Sequence, residues 1–129
     1  GGLVGAEGAV CFAHEGKECT IVEMKSTIAE EVNSFYRGGL MPEVEKAAKC
    51  LVNTKVKEIV PEGVLCEQDG KEILVEADSV VCAMGFASPY DKVDALTDIV
   101  DEYYIIGDCK KVGKIYDAMN TAYYSALLV

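Results

Sequence analysis

Gly1-Gly2-Leu3-Val4-Gly5-Ala6-Glu7 opens the chain, and eighteen residues after Gly5 the apolar run Cys19-Thr20-Ile21-Val22 ends at Glu23. A glycine loop turning into a helix, then a strand ending in a carboxylate, is the order in which a Rossmann unit holds the pyrophosphate and adenosine ribose of a dinucleotide. Only glycine lets backbone approach a pyrophosphate closely, as at Gly2, while Gly5 lets the helix pack against the sheet and the helix N-terminus attracts phosphate charge. A tight turn into a packed helix would use the same glycines, but the strand and carboxylate that follow favour a cofactor. Glu23 can accept both ribose hydroxyls of NAD(H) and would repel a 2′-phosphate, and neither Met24 nor Lys25 supplies a guanidinium fork for one. The plainer reading of Glu23 is a solvated strand end. The strand that feeds such a loop, and the first glycine of the full fingerprint, would fall before Gly1, so the sequence reads as a piece of a larger enzyme.

Working outward, Gly5 to His14 has helical spacing and Gly16 can adopt the left-handed conformation that ends a helix. Lys17 to Met24 reads as a β-rich strand. Ser26 or Thr27, with Glu30, is expected to cap a short helix running to about Tyr36, broken by Gly38-Gly39, with Pro42 starting another helix that ends near Cys50. Three strands follow, over 55–60, 63–68 and 71–76, and Asp69-Gly70 between the last two is a hairpin signal. Ser79 to Met84 is apolar throughout, as in a parallel strand buried on both faces. The expected fold class is therefore α/β, a Rossmann-like parallel sheet lacking its first strand, with a small antiparallel ribbon in the crossover. Residues 1–85 form that nucleotide-binding domain. Residues 86–129, with a strand at Tyr103 to Ile106 and a helix over 114–128, are too short to fold alone and read as the tail of a second domain.

Composition narrows the function classes. Half the residues are apolar and 26% charged, which permits a packed core and argues against disorder. The net charge of −10 makes nucleic acid an improbable partner, because that affinity rests on clustered Lys and Arg. No apolar run is long enough for a membrane-spanning helix. The six cysteines form no C-x-x-C pair, so buried thiols in a reducing cytoplasm are expected rather than disulfides or a metal site. Asp108, after Tyr103-Tyr104-Ile105-Ile106-Gly107, falls at the carboxyl end of a strand, the ligand-binding edge of α/β sheets, although a loop cap would look the same. His14 sits late in a helix, where it favours the C-terminal charge over catalysis. No nucleophile and base pair and no hydrolase motif is readable, and no catalytic residue is assigned.

Taken in order, GGLVGAE, TIVEM, NTKVKEI, EADSVVCAMG and YYIIGDC resemble the C-terminal part of the two-dinucleotide-domain flavoproteins. Within the pyridine nucleotide-disulfide oxidoreductase superfamily, the likeness is to NADH:flavin oxidoreductases of the old yellow enzyme type, such as 2-enoate reductases and 2,4-dienoyl-CoA reductase, and it covers nearly the whole chain. The resemblance implies that Gly2 and Gly5 touch the NADH pyrophosphate, Glu23 the adenosine ribose, Glu7 the nicotinamide side, and that Gly85 lies near the cofactor. Gly107 and Asp108 would hold the ribityl chain of FAD, with the helix from about Val112 pointing its N-terminus at the flavin. It also implies FMN and an iron–sulfur cluster in parts of the polypeptide not included here, and delivery of hydride from NADH to FAD to reduce an enoate-like substrate. Asn120-Thr121 departs from the family's usual Glu-Gly, and FASPYD from its usual continuation after Ala-x-Gly. A nucleotide-binding or sensing module without turnover is the alternative, and a disulfide reductase relative would need a redox cysteine pair that the sequence lacks. Alone, the piece is expected to be inactive, and its unpaired strand edges would favour a strand-paired dimer.

Overall fold

The computed structural model describes residues 1–129, which divide into two compact units, Gly1–Met84 and Gly85–Val129. In the first unit, helix α1 (Leu3–His14) begins at Gly2 and ends in a Schellman turn. There the Gly16 N–H donates to the Ala13 carbonyl and the Lys17 N–H to that of Phe12, with Gly16 at φ +82°. Ala6 and Ala9, one turn apart on α1, are buried against Ile21, Ile28, Ala29 and Val44, and their small side chains bring the helix close to its neighbours. Strand β1 (Cys19–Val22) pairs in parallel with β2 (Ala48–Leu51), and helix α2 (Ser34–Ala47) connects them. Strands β3 (Thr54–Val60), β4 (Gly63–Gln68) and β5 (Lys71–Glu76) form a separate antiparallel sheet in that order. A mixed α/β fold with a parallel sheet and a three-stranded antiparallel ribbon is what the sequence led us to expect.

Several local expectations are corrected. No helix follows Ser26 or Thr27; residues 24–32 are turns and bends, and the cap of α2 is Asn33, whose side chain accepts the Tyr36 N–H at 2.9 Å. Gly38-Gly39 lies within α2 instead of breaking it, and Pro42 sits in the helix interior instead of at a start. Two glycines cost helix stability and proline leaves the Gly38 carbonyl without its usual donor. All three residues are exposed, so water can reach that carbonyl, while Val44 is fully buried and Leu40 and Met41 pack against the core. Packing overrides propensity here. The expected helix end near Cys50 is instead strand β2.

The segment Ser79–Met84 is not a strand. It joins neither sheet, and Val81 is 68% and Met84 83% exposed. An apolar sequence becomes a strand only where a partner backbone satisfies its polar groups, and within this chain none lies alongside. Of the six free cysteines only Cys66 is buried; Cys19 and Cys50 are half-buried and the other three exposed.

The second unit holds a short helix α3 (Tyr90–Asp94) and helix α4 (Ile115–Ala126). Tyr103 to Ile106, expected as a strand, is irregular for the same want of a partner. Gly107 to Cys109 form one 3-10 turn. No residue of this unit is buried. No helix in either unit is long and apolar enough to cross a membrane.

Candidate functional site

The residue on which the two sheets of the first unit converge is Glu23. Its N–H donates to the Leu51 carbonyl at 2.9 Å, extending the parallel pairing by one step, and its carbonyl accepts from the Thr54 N–H at 2.9 Å, where the antiparallel sheet begins. Thr54 is itself almost completely buried, its hydroxyl donating to the Val52 carbonyl and accepting from the Gln68 side chain. Backbone bonds on both sides thus fix where the Glu23 side chain starts. Its carboxylate accepts from the Lys25 N–H at 2.8 Å and lies 3.1 Å from the Gly1 nitrogen. Burial pushes the Glu23 carboxyl up, but the hydrogen bonds from Lys25 and Gly1 and the charge of Lys25 outweigh it and hold the group below its ordinary value.

The glycine loop is tight against this carboxylate. The Gly1 carbonyl accepts from the Ala29 N–H at 2.8 Å, and a Cβ added to Gly1 would lie 2.5 Å from that of Glu23. At Gly5 an added Cβ would come within 3.3 Å of Ala83, so the close approach there is to the segment after the ribbon. Glu7, on the exposed side of α1, accepts a 2.6 Å hydrogen bond from the Tyr36 hydroxyl of α2, and the carboxylate holds that phenol above its ordinary pKa.

Sequence reasoning missed Glu31. Its carboxylate accepts from the Leu3 N–H at 2.8 Å, and a Cβ on Gly2 would meet the same oxygen at 2.9 Å. The Leu3 bond and a further one from Glu31's own N–H hold this carboxyl below its ordinary value. A carboxylate oxygen on the first free amide of a helix stands in for the phosphate oxygen that such a helix terminus binds. The Leu3 amide donates to an anion, Gly2 leaves room for it, and Glu23 stands beside the loop, an arrangement that fits a phosphate-bearing ligand. No local sequence signal announced Glu31, because a turn rather than a periodic element delivers it.

In the second unit, Gly107 adopts φ +56° and its N–H donates to the Thr121 hydroxyl at 2.9 Å. Thr121, one of the departures in sequence, thereby ties the turn to α4. Asp108 accepts from the Gly113 N–H at 3.2 Å and so closes its own turn, the loop-capping role that the sequence also allowed. Gly107, Lys110, Val112, Gly113, Asn120 and Thr121 line a cavity of about 420 Å³ beside it. Gly85, at φ +83°, is in the left-handed region where glycine is favoured.

These features fit a nucleotide-dependent oxidoreductase, and comparison with known proteins agrees. The family model for pyridine nucleotide-disulphide oxidoreductases matches residues 1–125. The chain is 36% identical over 129 residues to an NADH oxidase of Thermoanaerobacter brockii, covering 98% of this chain and 20% of that protein. It is 32% identical over 127 residues to a cinnamate reductase of Clostridium sporogenes, covering 95% and 19% respectively. Among solved structures, a 2-naphthoyl-CoA reductase in complex with 2-naphthoyl-CoA superposes with a TM-score of 0.84 at 32% identity, over all of this chain and 20% of the other. The chain belongs to the pyridine nucleotide-disulphide oxidoreductase family, and its relatives place it with the enoate reductase-like flavoproteins, in the likeness of their C-terminal region. It spans about a fifth of the length of the relatives named.

Proposed function

We propose that the first unit binds NADH and that the second supplies the Gly-Asp edge of an FAD site, in an enzyme that passes reducing equivalents from NADH through FAD to an enoate-like substrate held elsewhere in the polypeptide. The observation that carries this reading is the carboxylate of Glu31 on the Leu3 amide, an anion seated at the head of α1 beside Glu23. When bound, NADH supplies a hydride for the flavin. The chain's own residues bind and orient. Gly2, Gly5 and the α1 N-terminus receive the pyrophosphate, Glu23 accepts the ribose hydroxyls, Glu7 faces the nicotinamide end, and Gly85 belongs near the cofactor. Gly107 and Asp108 take the FAD ribityl chain once the Asp108 carboxylate turns from Gly113. The lack of any fully buried residue in the second unit supports the other reading, a nucleotide-binding module without turnover.

Isothermal titration of the chain with NADH and NADPH tests the cofactor assignment. Weak NADH binding with NADPH weaker still is expected, and Glu23→Ala should narrow the difference, because it removes the charge that repels a 2′-phosphate. Equal or tighter NADPH binding by the unaltered chain would sink the assignment. With FAD added, the chain is expected to show no NADH oxidation and to lose its flavin on gel filtration, since Gly107 and Asp108 form one edge of a flavin site. Stoichiometric flavin retained through the column contradicts that.

A further inference from the structure

Leu3 provides the amide that a pyrophosphate would use first, and that amide is already taken. Glu31 reaches it from a turn 28 residues downstream, its oxygen 2.8 Å from the nitrogen and over the face of Gly2 that must stay open for a phosphate. The backbone around Glu31 is anchored independently of this contact. Ala29 donates to the Gly1 carbonyl, Ala29 and Ile28 are buried, Arg37 holds the Ile28 carbonyl through Nε at 3.1 Å, and Asn33 caps α2. Glu31 itself is exposed, so its side chain can turn into solvent without moving those anchors. The charged groups around it are Lys25, which is paired with Glu30 at 2.6 Å, and Glu23 across the loop. A diphosphate arriving while Glu31 is in place would meet two carboxylates and one cation already shared.

We propose that Glu31 is an internal anion occupying the phosphate seat at the head of α1, which must leave before a dinucleotide binds, so that its charge sets the affinity of the loop for phosphate-bearing ligands. This rests on reading that loop as the dinucleotide site. Two groups competing for one donor lower the apparent affinity of the external one, and a fixed negative charge beside the seat lowers it further.

The test is titration calorimetry of the chain and its Glu31→Gln and Glu31→Ala variants with NADH, ADP and adenosine, together with amide spectra following Leu3 and Val4. Gln keeps the shape and an oxygen that can accept from Leu3, so the turn is retained while the charge is lost; Ala vacates the seat. NADH and ADP are expected to bind about fivefold tighter to both variants, while adenosine, which has no phosphate, is unchanged. NADH affinities equal to or weaker than that of the unaltered chain, in both variants, overturn the proposal. Should NADH bind without moving the Leu3 and Val4 amides, or fail to bind all three proteins, it is the dinucleotide reading that fails, and the proposal with it.

Discussion

A carboxylate held below its ordinary pKa makes stability depend on pH, and the first unit has two such groups at one end, Glu23 and Glu31. Because the folded state lowers both, the stability they contribute is complete above the unfolded value of 4.5 and is lost as pH falls through the folded values. The melting temperature is therefore expected to be flat between neutral pH and about pH 5 and to drop below it, with Glu23→Gln showing a shallower drop on that acid limb. An identical acid limb in the variant contradicts the role given to Glu23. The tight backbone at Gly2 and Gly5 and the strand end before Glu23 were readable in sequence because each answers to a local constraint, a backbone that must come close or a strand that must end. Glu31 and Tyr36 were not, since their contacts span 28 and 29 residues, one from a turn and the other from α2, and no local periodicity encodes either. Asp108 stood equally for a ligand and a loop cap, and its bond to Gly113 displays the second.

Among the elements, the ribbon was the most readable. Asp69 and Gly70 both take positive φ, as a two-residue hairpin turn demands, and the pairing of β4 with β5 runs without a break from Gly63 opposite Glu76 to Gln68 opposite Lys71. Gly63 combines φ +144° with a position where an added Cβ would run into the Val75 carbonyl and lie 2.8 Å from the Ala77 nitrogen. Gly63→Ala should accordingly cost on the order of 3 kcal/mol, read as a lower urea midpoint, and an unchanged midpoint would refute the strain argument. Elements whose identity depends on a neighbour were misread. Ser79–Met84 and Tyr103–Ile106 have strand composition and no strand beside them, and α2 persists through Gly38, Gly39 and Pro42 because its far end is anchored by Val44.

At the level of the whole molecule, the two units differ in kind. The first has a core; the second exposes Ile115, Tyr116 and Met119 along α4 at 84%, 74% and 65% and buries nothing. With no residue fully buried, little of the chain entropy is offset, so the second unit should open far more readily than the first. Hydrogen exchange read by mass spectrometry is expected to show rapid, near-complete labelling across 85–129 and slow labelling in α1, β1 and β2. Comparable protection in both units would show that α4 is covered in solution.

The clamp on Glu23 has a practical side. Its two backbone bonds belong to Leu51 and Thr54, and the turn between them passes through Asn53 at φ +49°, so the ribbon hangs from the same peptide that aims the carboxylate. The two ends of that ribbon therefore differ in what they tolerate. Lengthening the hairpin at Asp69-Gly70 leaves the suspension untouched, which makes that tip a place to graft an affinity handle or reporter, whereas one residue added between Val52 and Thr54 would slacken it and swing the Glu23 carboxylate off its mark.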